Sequence, residues 1–134
     1  MLLNLVLTLI LTPVAIIHAL WGMGIWFPIR EEEALARAVV GARSATRMPG
    51  PIPCFLVAGA LLFVVIVVWG PDRGIIQFVL GCAALAFLGR GVLAYTRIWR
   101  RMTPEQPFAR FDQLYYGPLC LVLALLLILR ITTG

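Results

Sequence analysis

The chain has 134 residues, 62% of them hydrophobic and 13% charged, with eleven arginines, no lysine and a net charge of +5. A water-soluble domain of this length cannot hide so much apolar surface, because its small core needs helices that are apolar along one stripe only. Nucleic-acid binding is excluded as the reason for the charge, since the basic residues are split between two loops with no reading module around them.

Four apolar runs follow one another, at about residues 2–21, 53–69, 75–95 and 114–131. Some twenty residues at 1.5 Å rise cross a ~30 Å hydrocarbon core, and each run is close to that length. The first has no basic leader and no small-residue cleavage site, so it is expected to stay in the membrane as a span. Pro13 lies within it and frees a backbone carbonyl. Beyond it, Glu31, Glu32 and Glu33 open a segment reaching about Arg43, with Glu33 and Arg37 at i, i+4 in the favourable order. Leu35, Ala38, Val39 and Ala42 share a face there. This predicts a short helix lying at the membrane surface, with a partner-docking helix as the alternative. Met48-Pro-Gly-Pro-Ile-Pro53 is read as a break before the second run. Gly70-Pro-Asp-Arg-Gly74 is a tight turn that makes the second and third runs antiparallel neighbours. Of the two arginine-rich loops, only the first is expected to hold structure of its own. The fold class is all-α: one polytopic domain, residues 1–134, an antiparallel four-helix transmembrane bundle with a short interfacial helix.

Orientation follows from the arginines. Arg30, Arg37, Arg43 and Arg47 lie between the first two runs, and Arg97, Arg100, Arg101 and Arg110 between the last two. The opposite side has only Arg73 and Arg130. Short loops rich in arginine face the cytoplasm, so both termini are expected on the periplasmic side of a bacterial inner membrane. Aromatic residues mark the same boundaries. Trp21, Trp26 and Phe27 close the first run, Tyr95 and Trp99 the third, and Tyr115 and Tyr116 open the fourth.

Little in the chain carries chemistry. Cys54, Cys82 and Cys120 form no C-x-x-C pair, fall at different depths and are read as buried packing residues. One histidine with scattered cysteines makes no metal site. No nucleophile triad, phosphate loop or catalytic carboxylate pair is present, so neither an enzyme nor a cofactor is expected. What remains is a polar set near the arginine-rich end: His18, Trp21, Arg90, Asp112 and Tyr116. An arginine one turn inside a span costs roughly 2.5–3.5 kcal/mol unless it is paired or reaches the headgroups. Arg90 shares a face with the small residues Cys82 and Ala86. Such residues usually line helix contacts, so Arg90 is expected to turn into the bundle and meet Asp112. The pair is read as a structural clamp, with a binding or proton-handling site, and simple snorkelling, as alternatives.

At these residues the chain resembles a known family. His18-Ala-Leu-Trp21-Gly22, followed by Trp26 and Pro28, is similar to the H-x-x-W-G start of small bacterial four-span proteins catalogued as domain of unknown function 3995. That family has an acid and a tyrosine before a Pro-Leu-Cys run, matched by Asp112, Tyr116, Pro118, Leu119 and Cys120. It also has an arginine late in its third span, matched by Arg90. Its usual two glycines after the tryptophan read here as Gly22-Met-Gly24. The resemblance covers essentially the whole chain and implies the four-span fold, but no reaction. Two functional expectations stand. One is a non-enzymatic interaction protein of the immunity type, which binds and neutralises a membrane-active toxin. The alternative is binding or transport of a small ligand, ion or lipid at the His/Arg/Asp/Tyr set. Expected partners are anionic lipid headgroups, a membrane protein or toxin, and a second copy of the chain in a homodimer.

Overall fold

A computed structural model describes residues Met1–Gly134. In chain order it holds α1 (Leu2–Gly22), α2 (Glu32–Val39), α3 (Pro51–Val68), α4 (Gly74–Leu93), α5 (Arg97–Met102), α6 (Phe108–Phe111), a π-helical turn (Asp112–Tyr116) and α7 (Gly117–Thr133). The run from α6 through α7 is a continuous 26-residue helix. With α1, α3 and α4 it makes four helices long and apolar enough to cross a membrane. The protein is an all-helical, multi-pass membrane protein.

Three boundaries differ from those expected. α3 starts at Pro51 instead of after the proline cluster, with Pro51 and Pro53 both inside its first turn. The first-turn amides have no partner within a helix, so proline costs nothing there, and its fixed φ suits the position. The fourth span starts at Phe108, six residues earlier than its apolar run. The second arginine-rich loop is also not structureless, because it folds into α5. The Thr96 hydroxyl caps that helix by accepting from the Trp99 amide.

Around the bundle the order is α1, α3, α4, α7, and the closest packing is α1 on α3 and α4 on α7. Uniformly apolar runs do not reveal which residues turn inward. The structure selects Leu7, Leu11 and Ala15 from α1, Leu61, Val64 and Val68 from α3, Leu80 and Ala84 from α4, and Leu123 and Leu127 from α7. These repeat at three or four residues, one face of a helix. Leu9, Leu56, Ile66, Phe78 and Leu85 point outward. In lipid such residues lose nothing by exposure, and helix association relies on close packing. Near the arginine-rich end α4 and α7 come closest. A Cβ on Gly117 would lie 2.9 Å from the Ala94 Cβ, and one on Gly91 would lie 3.0 Å from the Gly117 carbonyl oxygen.

α2 is shorter than the segment expected, and its apolar face is occupied by the protein itself. Leu35 and Ala36 are fully buried with Met48, against Trp21, Trp26 and Ile29. Gly41 ends the helix at φ +71, with the Phe108 ring packed where a side chain would stand. Only glycine takes that conformation without strain while leaving the ring its space.

Candidate functional site

The site forms where α4, α5 and the π turn meet. Pro118 has no amide to give to the Leu114 carbonyl, and its ring crowds that turn. The helix widens, and the Gly117 amide donates to Asp112 five residues back. Such turns recur at functional sites. The Asp112 side chain is fully buried and accepts three charge-assisted or polar bonds. Arg90 Nη2 donates to Oδ1 at 2.6 Å, the Trp99 indole Nε1 donates to Oδ2 at 2.8 Å, and Arg100 Nη2 donates to Oδ2. Arg100 also donates from Nη1 to the Ala109 carbonyl at 2.9 Å. The Arg90 guanidinium lies 5.2 Å from the centroid of the Trp99 ring, and that of Arg100 lies 5.8 Å from Phe108. Both are within the range at which a ring face attracts a cation.

Two features set the electrostatics. A fully buried carboxylate is tolerable only when paired and hydrogen-bonded, and Asp112 is both. It balances one guanidinium of two, so the cluster keeps one positive charge. Arg90 Nη1 and Arg100 Nε are buried N–H donors without an acceptor. An anion beside the guanidiniums would balance the surplus charge. The Arg90 side chain remains 31% exposed, so the cluster is open on that side.

Of the residues picked out from the sequence, Arg90 and Asp112 are paired as expected. The reason given for it was wrong, because Cys82 and Ala86 face outward and Arg90 reaches Asp112 from the flank of α4. Tyr116 is in the π turn, but its hydroxyl donates to the Ala38 carbonyl of α2 at 2.8 Å, not to Asp112. His18 and Trp21 belong to a different place. His18 makes no hydrogen bond or ion pair with Arg90, Asp112 or Tyr116. Its Nδ1 donates to the Val14 carbonyl at 2.7 Å, and its ring leans on Trp21 at a centroid distance of 4.9 Å. Trp21 Nε1 donates to the Phe27 carbonyl. The two line a cleft of about 160 Å³ between α1, α3 and the loop around Met48. Of the cysteines, Cys54 is buried and Cys120 half-buried, but Cys82 is exposed.

Arg100 and Trp99 complete the site, and sequence reading assigned them other roles, as a loop charge and an interface marker. The available signal was Asp112, one of only two acids among the four arginines of that loop. A second polar knot lies at the opposite end. Arg130, its side chain 9% exposed, donates from Nη1 to Asp72 at 2.5 Å, from Nε to the Val68 carbonyl and from Nη2 to the Gly70 carbonyl, both at 3.3 Å. Sequence reading did not pair them, although Asp72 is the only acid on that side.

No curated protein and no solved structure matches the chain. The family model described as Protein of unknown function (DUF3995) matches residues 11–127, a stretch that holds His18, Arg90, Arg100, Asp112 and Tyr116, and the chain belongs to that family.

Proposed function

We propose that this is a non-enzymatic protein of the bacterial inner membrane that binds a phosphate-bearing anion, such as a lipid headgroup, at the Arg90–Arg100–Asp112 cluster. One observation carries the reading: a fully buried carboxylate is shared by two guanidiniums, leaving one positive charge, with the Arg90 side chain 31% exposed. Its placement supports a lipid source. Asp112 lies about 6 Å from the start of its 26-residue helix at 1.5 Å per residue, at headgroup depth. Nine of the eleven arginines share this end of the bundle. That asymmetry supports a cytoplasmic surface for this end, where anionic lipids concentrate, with both termini on the far side.

The test is lipid retention. The purified protein is exchanged into nanodiscs of phosphatidylglycerol and phosphatidylcholine, and bound lipid is read by native mass spectrometry. Both headgroups carry a phosphate, but phosphatidylcholine also brings a quaternary ammonium to a cluster with surplus positive charge, so retention should favour phosphatidylglycerol. Arg90→Gln should lose the preference yet stay folded, since Asp112 keeps Arg100 and Trp99. Equal retention of the two lipids, or an unchanged Arg90→Gln, refutes the reading. Displacement of the lipid by millimolar inorganic phosphate would identify a free anion as the ligand. A stoichiometric protein recovered from native membranes with wild type and Arg90→Gln alike would favour the toxin-neutralising function instead.

A further inference from the structure

The cleft beside His18 is separate from the arginine cluster and has a chemistry of its own. Its walls include Trp21, Met48, Pro53, Cys54 and Val57, all apolar, aromatic or sulfur-bearing. The polar groups of those walls are already in use. The Trp21 indole N–H goes to the Phe27 carbonyl, and the Cys54 thiol points at the Pro49 carbonyl at 3.9 Å. His18 is the exception. Its Nδ1 faces a carbonyl oxygen at 2.7 Å, and a carbonyl can only accept, so the neutral ring carries its proton on Nδ1. Nε2 is then a hydrogen-bond acceptor with no partner in the protein. An apolar cleft with a single free side-chain acceptor suits a ligand that is apolar apart from a donor.

Size narrows the choice. A cavity of about 150 Å³ takes one benzene ring, and this cleft is about 160 Å³. Aromatic rings also make favourable contacts with thioether and thiol sulfur, here Met48 and Cys54, and with the face or edge of an indole. The cleft lies one turn inside the arginine-rich end of α1, His18 being four residues from Gly22, so a ring bound there could leave an apolar tail in the lipid. We infer that the His18–Trp21 cleft binds the hydroxylated aromatic head of a membrane-soluble amphiphile, a phenol or quinol, whose hydroxyl donates to His18 Nε2.

The chain has a single histidine, so isotope labelling of the imidazole gives one Nε2 resonance to follow. In detergent micelles, para-cresol should shift that resonance saturably. Toluene, the same shape without the hydroxyl, should displace it only at about tenfold higher concentration, the worth of one hydrogen bond. Val57→Phe places a ring in the cleft and keeps His18; there para-cresol should produce no saturable shift. A shift that grows without limit, toluene competing as well as para-cresol, or a Val57→Phe protein that titrates like wild type would each overturn the assignment. The toluene comparison uses the native chain and so does not depend on the variant folding.

Discussion

The two ends of the bundle solve the same problem with the charges reversed. At the far end the buried partner is a guanidinium, Arg130, and each of its three nitrogens has an acceptor: Asp72, Val68 or Gly70. That knot is neutral and complete, and it joins α7 to the end of α3. At the arginine-rich end the buried partner is the carboxylate of Asp112, surrounded by more donors than it can accept from. A closed knot fastens, whereas the surplus charge of an open one supports the binding proposed for it. The same residue types therefore support a structural reading at one end and a binding reading at the other. The balance of donors and acceptors makes the difference, rather than the mere presence of an ion pair.

Mutations at the two ends test that contrast. The largest effect is expected for Asp112→Ala, which leaves two guanidiniums facing each other without a counter-charge. Losing one member of a buried pair typically costs ~3–5 kcal/mol, enough to remove most folded protein. Denaturant unfolding in micelles, or folded yield where unfolding is irreversible, reads it. A loss below about 1 kcal/mol would mean that the carboxylate is not what holds α4, α5 and the π turn together. Arg130→Met should cost less, about 1–2 kcal/mol. Methionine fills much of the space, and the half-exposed Asp72 can turn to water. Its phosphatidylglycerol preference should match wild type; if that preference falls, the far end is more than a fastener. Trp99→Phe should be the mildest, about 1 kcal/mol. It keeps a ring beneath Arg90 and removes only the indole bond to Asp112, whose Oδ2 still accepts from Arg100. Headgroup preference should survive this change, because the surplus charge does.

The spans and the Arg90–Asp112 pair were legible in the sequence because each rests on a strong physical constraint. Long apolar runs have few alternatives to crossing a membrane, and an arginine within one needs a partner. The rest was hidden for identifiable reasons. Leu114 to Ile131 is so evenly apolar that no periodicity shows which face turns inward, and so Arg130 read as a terminal charge although it follows Leu123 and Leu127 on the buried stripe. Arg100 and Trp99 reach Asp112 only because the loop folds into α5, a six-residue helix that hydropathy cannot detect. His18 was grouped with Arg90 by depth alone. Depth fixes height along the bundle but not azimuth around it, and the helix order α1, α3, α4, α7 turns His18 toward α2 and α3.

Azimuth also gives the π turn its significance. On an uninterrupted α-helix, residues eleven and eighteen positions apart nearly coincide in angle, so Asp112 would point the same way as Leu123 and Arg130, toward the bundle axis. One inserted residue rotates everything beyond it by about 100°. The turn over Asp112–Tyr116 thus uncouples the two parts of the fourth span. The leucines of α7 stay aimed at the bundle axis, while Asp112 swings aside to meet Arg90 and Arg100. The length of this segment is therefore as tightly constrained as its composition: one residue fewer would turn the carboxylate away from its two arginines.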